Sequence, residues 1–386
     1  MSRNLLLTPG PTKIPREIYD VMAQPIIHHR TPQFQKNLKE AVEGLQYIFQ
    51  TKNDVYLLAS SGTGAMEACV CNLLSPGDQV ITVDGGKFGE RWAEICEAYD
   101  AKPQVIKVPW GKAVEAQEIK KSLEANPNIK AVFITLTETS TGVTTNVKAI
   151  AEVVKKTKAV LVVDAISGLG VTDLQMDNWG VDVVASASHK GFMLPPGLAF
   201  IAVSPKAWAV VESAKSSRYY FDLRKAKEAW ADTDTAFTPA INLVIALCES
   251  LKHMKKIGIP QLFNHFERLA EGTRQAALAL GLTPFPDKSC ISNALTAINI
   301  PSSVDGAKLV KILRDVHGIS IAGGQDQLKG KIIRIAHMGC VNEEDLITGF
   351  TYIEKVLEEL GYSFKKGASV EALKKFFSDK TVTSHF

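Results

Sequence analysis

Leu161-Val162-Val163-Asp164 and, after the run Val181-Asp182-Val183-Val184-Ala185, the segment Ser186-Ala187-Ser188-His189-Lys190-Gly191 decide how this chain is read. Both runs are short and β-branched, which predicts parallel strands buried on both faces rather than amphipathic helices. In an open α/β sheet, chemistry gathers beyond the carboxyl ends of the strands. Asp164 stands at one such end, and Lys190 follows another by a few residues. Taken singly, each has an ordinary reading. An acid closing a strand often caps the next turn, and a lysine in a Ser-rich loop is usually a solvated charge.

Together they read differently. An amine and an acid that can face each other across a ring are what pyridoxal 5'-phosphate (PLP) chemistry requires. The lysine forms the Schiff base, and the acid keeps the pyridine nitrogen protonated so that the ring withdraws electrons. Upstream, the strand Val55-Tyr56-Leu57-Leu58-Ala59 runs into Ser60-Ser61-Gly62-Thr63-Gly64-Ala65-Met66-Glu67-Ala68, a hydroxyl- and glycine-rich turn that opens a helix. The free N–H groups and positive dipole end of such a turn bind anions, so it is the natural holder of a cofactor phosphate. Its spacing matches neither the P-loop nor the dinucleotide fingerprint. Phe88, between glycines at the next loop–helix junction, either staples the helix or lies on a cofactor ring. Strands over 104–108 and 130–136 alternate with helices over 115–123 and 147–156, and the last strand of the region covers 199–203. The region therefore reads as a mostly parallel sheet between helices.

After about residue 240 the pattern changes to long helices (240–256, 259–280), short strands (294–300, 332–336) and further helices (305–316, 343–360). The expected organisation is an N-terminal segment (1–20), a large PLP-binding α/β domain (21–255) and a smaller α+β domain with a helical tail (256–386). Arg334, alone in Ile332-Ile333-Arg334-Ile335-Ala336, either snorkels to an edge or clamps a carboxylate with both arms of its guanidinium. Thr8-Pro9-Gly10-Pro11-Thr12 is a rigid turn. His28 and His29 lie in a proline-limited loop, where extended backbone would send them to opposite sides.

With 386 residues, 46% hydrophobic and 22% charged, the chain can bury a large core. A net charge of +3 gives no electrostatic footprint for nucleic acid. The basic cluster Lys365-Lys366 to Lys374-Lys375 reads as the wet face of a terminal helix. Six cysteines without a CxxC pair read as buried hydrophobes of a reducing compartment, with Cys69 and Cys71 on different helix faces. No signal-peptide architecture and no membrane-length apolar run is seen, so no membrane role and a cytoplasmic location are expected.

These residues resemble the class V aminotransferases of the fold-type I PLP enzymes, closest to the alanine–glyoxylate and serine–pyruvate group. The resemblance runs from about Leu6 to about Gly361. It rests on Pro9-Gly10-Pro11, Ser61-Gly62-Thr63-Gly64-Ala65-Met66-Glu67-Ala68, Glu138-Thr139-Ser140-Thr141-Gly142, Val163-Asp164, Ser188-His189-Lys190 with Pro195-Pro196-Gly197, and Arg334-Ile335-Ala336-His337-Met338-Gly339. It implies that Lys190 carries the cofactor and Asp164 pairs with its ring nitrogen. Ser61, Gly62, Thr63 and His189 would hold the phosphate, Phe88 and Ile166 the ring, and Thr139 the ring hydroxyl, while Arg334 would bind the substrate α-carboxylate. It also implies a homodimer in which the partner adds phosphate contacts from Asp234-Thr235-Ala236-Phe237-Thr238-Pro239. The register there departs from the Tyr-x-x-Thr pattern, so Thr235 and Thr238 are the nearest matches only.

The activity so implied is ping-pong transfer of an amino group from alanine or serine to glyoxylate or pyruvate. Aspartate-using members share these motifs, and His28, His29 or Arg30 would then supply extra charge. A cysteine desulfurase needs a nucleophilic cysteine on a mobile loop. Ala322-Gly323-Gly324-Gln325-Asp326 has none, and Cys340 follows the Arg334 strand closely. A non-catalytic subunit of a redox complex is the reading from a different class, without cysteine spacing to support iron–sulfur or nickel ligation.

Overall fold

The computed structural model describes residues 4–378. Its main sheet has seven strands, in the spatial order Val55–Leu58, Ala199–Val203, Val183–Ala187, Val160–Asp164, Ala131–Thr135, Gln79–Asp84, Lys102–Lys107. The strands at 79, 102, 131, 160 and 183 pair in parallel. Three of them (131–135, 160–164 and 183–187) are buried along their whole length, as their β-branched composition requires, whereas no residue of the edge strand Lys102–Lys107 is buried.

Ala199–Val203 runs antiparallel to both of its neighbours. A parallel return needs a crossover of a dozen or more residues, normally a helix. Residues 188–198 contain no helix, so the chain can only double back. Because Val55–Leu58 is antiparallel to this reversed strand, it points with the other five. The segments that follow Leu58, Asp84, Thr135, Asp164 and Ala187 therefore leave the sheet at one edge, where functional side chains collect.

The second sheet is antiparallel and three-stranded: Leu295–Asn299, Ile332–Ala336 and Ala322–Gly323, with Ile332–Ala336 in the middle. It shares a separate hydrophobic cluster with Leu269, Leu309, Phe350 and Leu373 from the surrounding helices. The N-terminal segment belongs to this cluster. Leu5–Leu6 pairs with Ile319–Ser320, the Ala336 N–H donates to Leu7 O (2.9 Å), and Leu7 is fully buried.

Local signals account for several helix ends. Thr31 caps Pro32–Phe49, with proline in the first turn, and Phe34, Leu38, Ala41, Val42, Leu45, Ile48 and Phe49 form its buried stripe. Asn342 and Asp345 form a capping box at Glu343–Glu359. Elements of two to nine residues went unread: the hairpin Thr137–Glu138/Val143–Thr144, and the helices Met176–Trp179, Pro205–Ser213 and Leu223–Ala231. They are too short for a hydrophobic period to register. Two expectations need correction. The His28 and His29 rings are neighbours, with centroids 4.8 Å apart, because the backbone turns there, with Thr31 Oγ1 donating to His28 O (2.9 Å). Lys365 and Lys366 precede the helix Ala368–Ser378 and pair with Glu371 (3.1 Å) and Glu358 (2.5 Å).

Phe133 is wholly buried in the main sheet, with its ring centroid 4.8 Å from that of Trp92. Phe133→Ala is expected to cost about 3–5 kcal/mol through lost burial and an unfilled cavity. A lowered midpoint in guanidinium denaturation of the purified protein checks it.

Candidate active site

At the carboxyl edge of the main sheet lies a cleft. It is lined by Ser61, Gly62, Thr63, Phe88, Arg91, Thr137, Thr139, Asp164, Ile166, Ser167, His189 and Lys190. The segments after Leu58, Asp84, Thr135, Asp164 and Ala187 each contribute. The fold thus brings together Ser61, Gly62, Thr63, Phe88, Thr139, Asp164, Ile166, His189 and Lys190 from five separate stretches of sequence. Thr235 and Thr238 are elsewhere in the same chain, lining an apolar groove with Tyr56, Tyr220 and Trp230, and the Thr235 hydroxyl donates to Phe237 O (2.8 Å).

The helix Gly62–Leu73 presents its first turn to the cleft, and that turn carries no acidic residue. Its leading N–H groups have no partner within the helix. Gly62 is needed for packing: a Cβ there would sit 2.6 Å from Ile166 Cδ1. Ile166 in turn donates its N–H to Asp164 Oδ1 (2.8 Å).

Burial pushes the Asp164 carboxyl up to about 7, further raised by Glu138, against the pull of the Ile166 N–H and of Lys190 and Arg91. Burial brings the Lys190 amine down to about 8. Asp164 opposes that fall, and the positive charges of Arg334 and Arg91 reinforce it. The Lys190 ammonium donates to the Pro9 carbonyl, and the Thr12 hydroxyl donates to Lys190 O (3.1 Å). Gly10, at φ +129°, leaves room for the lysine stem, since a Cβ would come within 2.6 Å of Lys190 Cε. Burial also lowers His189 to about 4, so its ring is neutral at physiological pH.

Glu138 is a residue of the site that sequence reasoning took only as part of a motif. It is buried in a hairpin behind Phe88. One carboxylate oxygen accepts from the Phe88 N–H (3.0 Å) and the Gly89 N–H (2.9 Å). The other accepts from the Ser140 N–H (3.0 Å) and hydroxyl (2.5 Å). Ser140 Oγ accepts from the Lys87 N–H (3.1 Å). Glu138 therefore caps the helix Lys87–Ala98, whose own N-cap is Gly86, without a side chain. Burial raises its carboxyl, and these four donors pull it back down. A glycine where a helix needs a capping oxygen was the signal available in the sequence.

The next residue, Thr139, offers its carbonyl to Arg334 Nη1 (2.7 Å), while Arg334 Nε donates to Gly323 O (2.9 Å). Burial lowers Arg334 only to about 10, so it stays charged at neutral pH. Arg91, Thr137 and Ser167 were also missed. Arg91 reads in sequence as a solvated charge on an amphipathic helix, yet Nη1 donates to Thr63 Oγ1 (3.2 Å) and its Cζ lies 4.9 Å from the Phe88 ring centroid.

The cleft suits PLP by its chemistry. It holds a buried amine, a buried acid, a helix N-terminus for an anion, and an aromatic face. His189 Nδ1 and Thr137 Oγ1 are buried there without a hydrogen-bond partner among the described residues. The family model described as aminotransferase class-V matches residues 6–345. The chain belongs to this family.

Class-V aminotransferases use PLP, and this one is a PLP-dependent transaminase. It is 41% identical to the soluble hydrogenase 42 kDa subunit of Anabaena cylindrica, over 97% of this chain and 99% of that one. It is 34% identical to the L-aspartate–glyoxylate aminotransferase of Paracoccus denitrificans, over 99% and 98%. The crystal structure of ureidoglycine–glyoxylate aminotransferase from Bacillus subtilis superposes with a TM-score of 0.95 at 26% identity, covering 98% of this chain and 99% of that chain.

Two measurements probe this geometry. Amine-selective labelling of the apoenzyme, read at the Lys190 peptide by mass spectrometry, should rise with pH with a midpoint near 8. Because the Asp164 charge raises the lysine pKa, Asp164→Asn should move that midpoint lower. Glu138→Ala should release the Phe88 and Gly89 N–H groups and lower PLP affinity at least about tenfold, as measured by titrating the apoenzyme.

Proposed function

We propose that this aminotransferase moves the amino group of a small amino acid, alanine or serine, to glyoxylate or pyruvate in the two half-reactions of a ping-pong cycle. We further infer a homodimer in which Thr235 and Thr238 of one chain complete the phosphate site of the other. The observation that carries the substrate reading is Arg334. It is a buried, charged guanidinium with two of its N–H groups committed to carbonyls, leaving others for one carboxylate.

Bound PLP supplies an electrophilic carbonyl carbon and a ring that withdraws electrons. Ser61, Gly62, Thr63 and His189 would hold its phosphate, Asp164 its ring nitrogen, Thr139 its ring hydroxyl, and Phe88 and Ile166 its faces. Lys190, with a pKa brought toward neutrality by burial, would take the proton from the amino acid Cα and hand it to the cofactor's former carbonyl carbon. Arg334 orients the α-carboxylate so that this Cα–H faces the amine. The Pro9 carbonyl that now holds Lys190 gives it a resting position when it is not bonded.

The acceptor is supported by two relatives whose names share glyoxylate. The Paracoccus relative's name favours aspartate as a second donor reading. The redox-subunit reading would need a cluster of metal ligands, and no group of three or more His, Cys, Asp or Glu side chains among the described residues is placed to form one. Burial raises Cys340, which makes it a poor desulfurase nucleophile.

Lys190→Ala is expected to lower turnover at least about a thousandfold, measured as keto-acid release. Retained turnover would refute the assignment. In a panel of amino donors with glyoxylate, alanine or serine should give the highest kcat/KM, and a higher value for aspartate would select the second reading.

A further inference from the structure

Arg91 is a cation on the cleft wall that none of the roles above employs. It lies in the helix Lys87–Ala98 and reaches across to the first turn of the helix Gly62–Leu73, where Nη1 donates to Thr63 Oγ1 (3.2 Å). Its guanidinium also stacks on Phe88, Cζ to ring centroid 4.9 Å. Among the described residues it has no carboxylate partner. By contrast Arg224, Arg274 and Arg314 each pair with an acid within 3 Å. A guanidinium held beside unpaired helix N–H groups, in a turn without an acid, concentrates positive charge that suits an anionic ligand.

We propose that Arg91 is a direct ligand of the cofactor phosphate, supplying the charge that the neutral Ser61-Gly62-Thr63 turn lacks. This rests on the assignment of that turn to the phosphate. The alternative, a clamp for the distal carboxylate of a dicarboxylic donor, fits the contacts less well. Arg91 is fastened to the turn's own Thr63, whereas the carboxylate clamp Arg334 is fastened to Thr139 and Gly323. The guanidinium N–H groups not engaged with Thr63 supply a fork suited to two phosphate oxygens. The Thr63 and Phe88 contacts hold the guanidinium in place, so less rotamer freedom is left to lose on binding. His189 is neutral near pH 7 and adds a hydrogen bond but no charge, which leaves Arg91 as the cation of the phosphate site.

The test compares PLP with pyridoxal, which lacks the phosphate, by fluorescence titration of the apoenzyme. Arg91→Gln should weaken PLP binding about ten- to a hundredfold and leave pyridoxal binding within about twofold. Arg91→Lys, which keeps the charge without the fork, should fall between. Equal weakening toward both ligands would overturn the proposal, because it would signal a packing role. Unchanged PLP affinity with a selective rise in KM for aspartate would overturn it in favour of a substrate clamp.

A Ser61→Ala/Thr63→Ala variant separates the two layers of the argument. If it discriminates PLP from pyridoxal and Arg91→Gln does not, the phosphate turn stands and Arg91 falls alone. If neither discriminates, the turn assignment falls with it. Thermal unfolding of each apoenzyme guards against misfolding, and Arg91→Lys carries the comparison if the glutamine variant does not fold.

Discussion

The buried carboxylate of Glu138 holds the active-site geometry together. Its two oxygens gather the N–H groups of Phe88 and Gly89 on one side, and the N–H and hydroxyl of Ser140 on the other. The backbone of Thr139 between them fixes Arg334. Phe88 and Arg334 are thus both referenced to one hairpin. Withdrawing a carboxylate from water is costly unless its lone pairs are filled, and here four donors fill them. That makes the arrangement over-determined: the acid cannot leave without stranding the helix end it caps, and the helix end cannot move without stranding the acid.

Around this anchor the cleft carries opposed charges that soften one another. Asp164 and Lys190 are both driven toward their neutral forms by burial, and each is restrained by the other. Arg91 and Arg334 keep full charge. The result is a cavity poised for an anionic ligand, with an amine whose proton is loosely held near neutral pH. A base that must both accept and return a proton works best in that range.

The N-terminal segment joins these features to the rest of the molecule. Leu5–Leu6 is hydrogen-bonded into the C-terminal part of the chain, and a few residues later Pro9 and Thr12 contact Lys190. The reversed strand Ala199–Val203 has a comparable effect at the other end of the site. By turning back after the Lys190 loop, it lets Val55–Leu58 deliver the Ser61-Gly62-Thr63 turn to the same edge as Asp164.

Local chemistry alone determined a good deal. β-branched runs ending in an acid and a hydroxyl–glycine turn opening a helix are written in neighbouring residues, so the strands and the pair Asp164 and Lys190 were legible without coordinates. The resemblance to a family then joined them into one site. Only the tertiary structure decided which residues complete it. Glu138 caps a helix fifty residues away, Arg91 turns from an ordinary surface charge into part of a cleft wall, and His28 and His29 come together instead of apart. Each depends on where distant segments are packed against one another, and a side chain's partner across the fold leaves no periodic mark in the order of its neighbours.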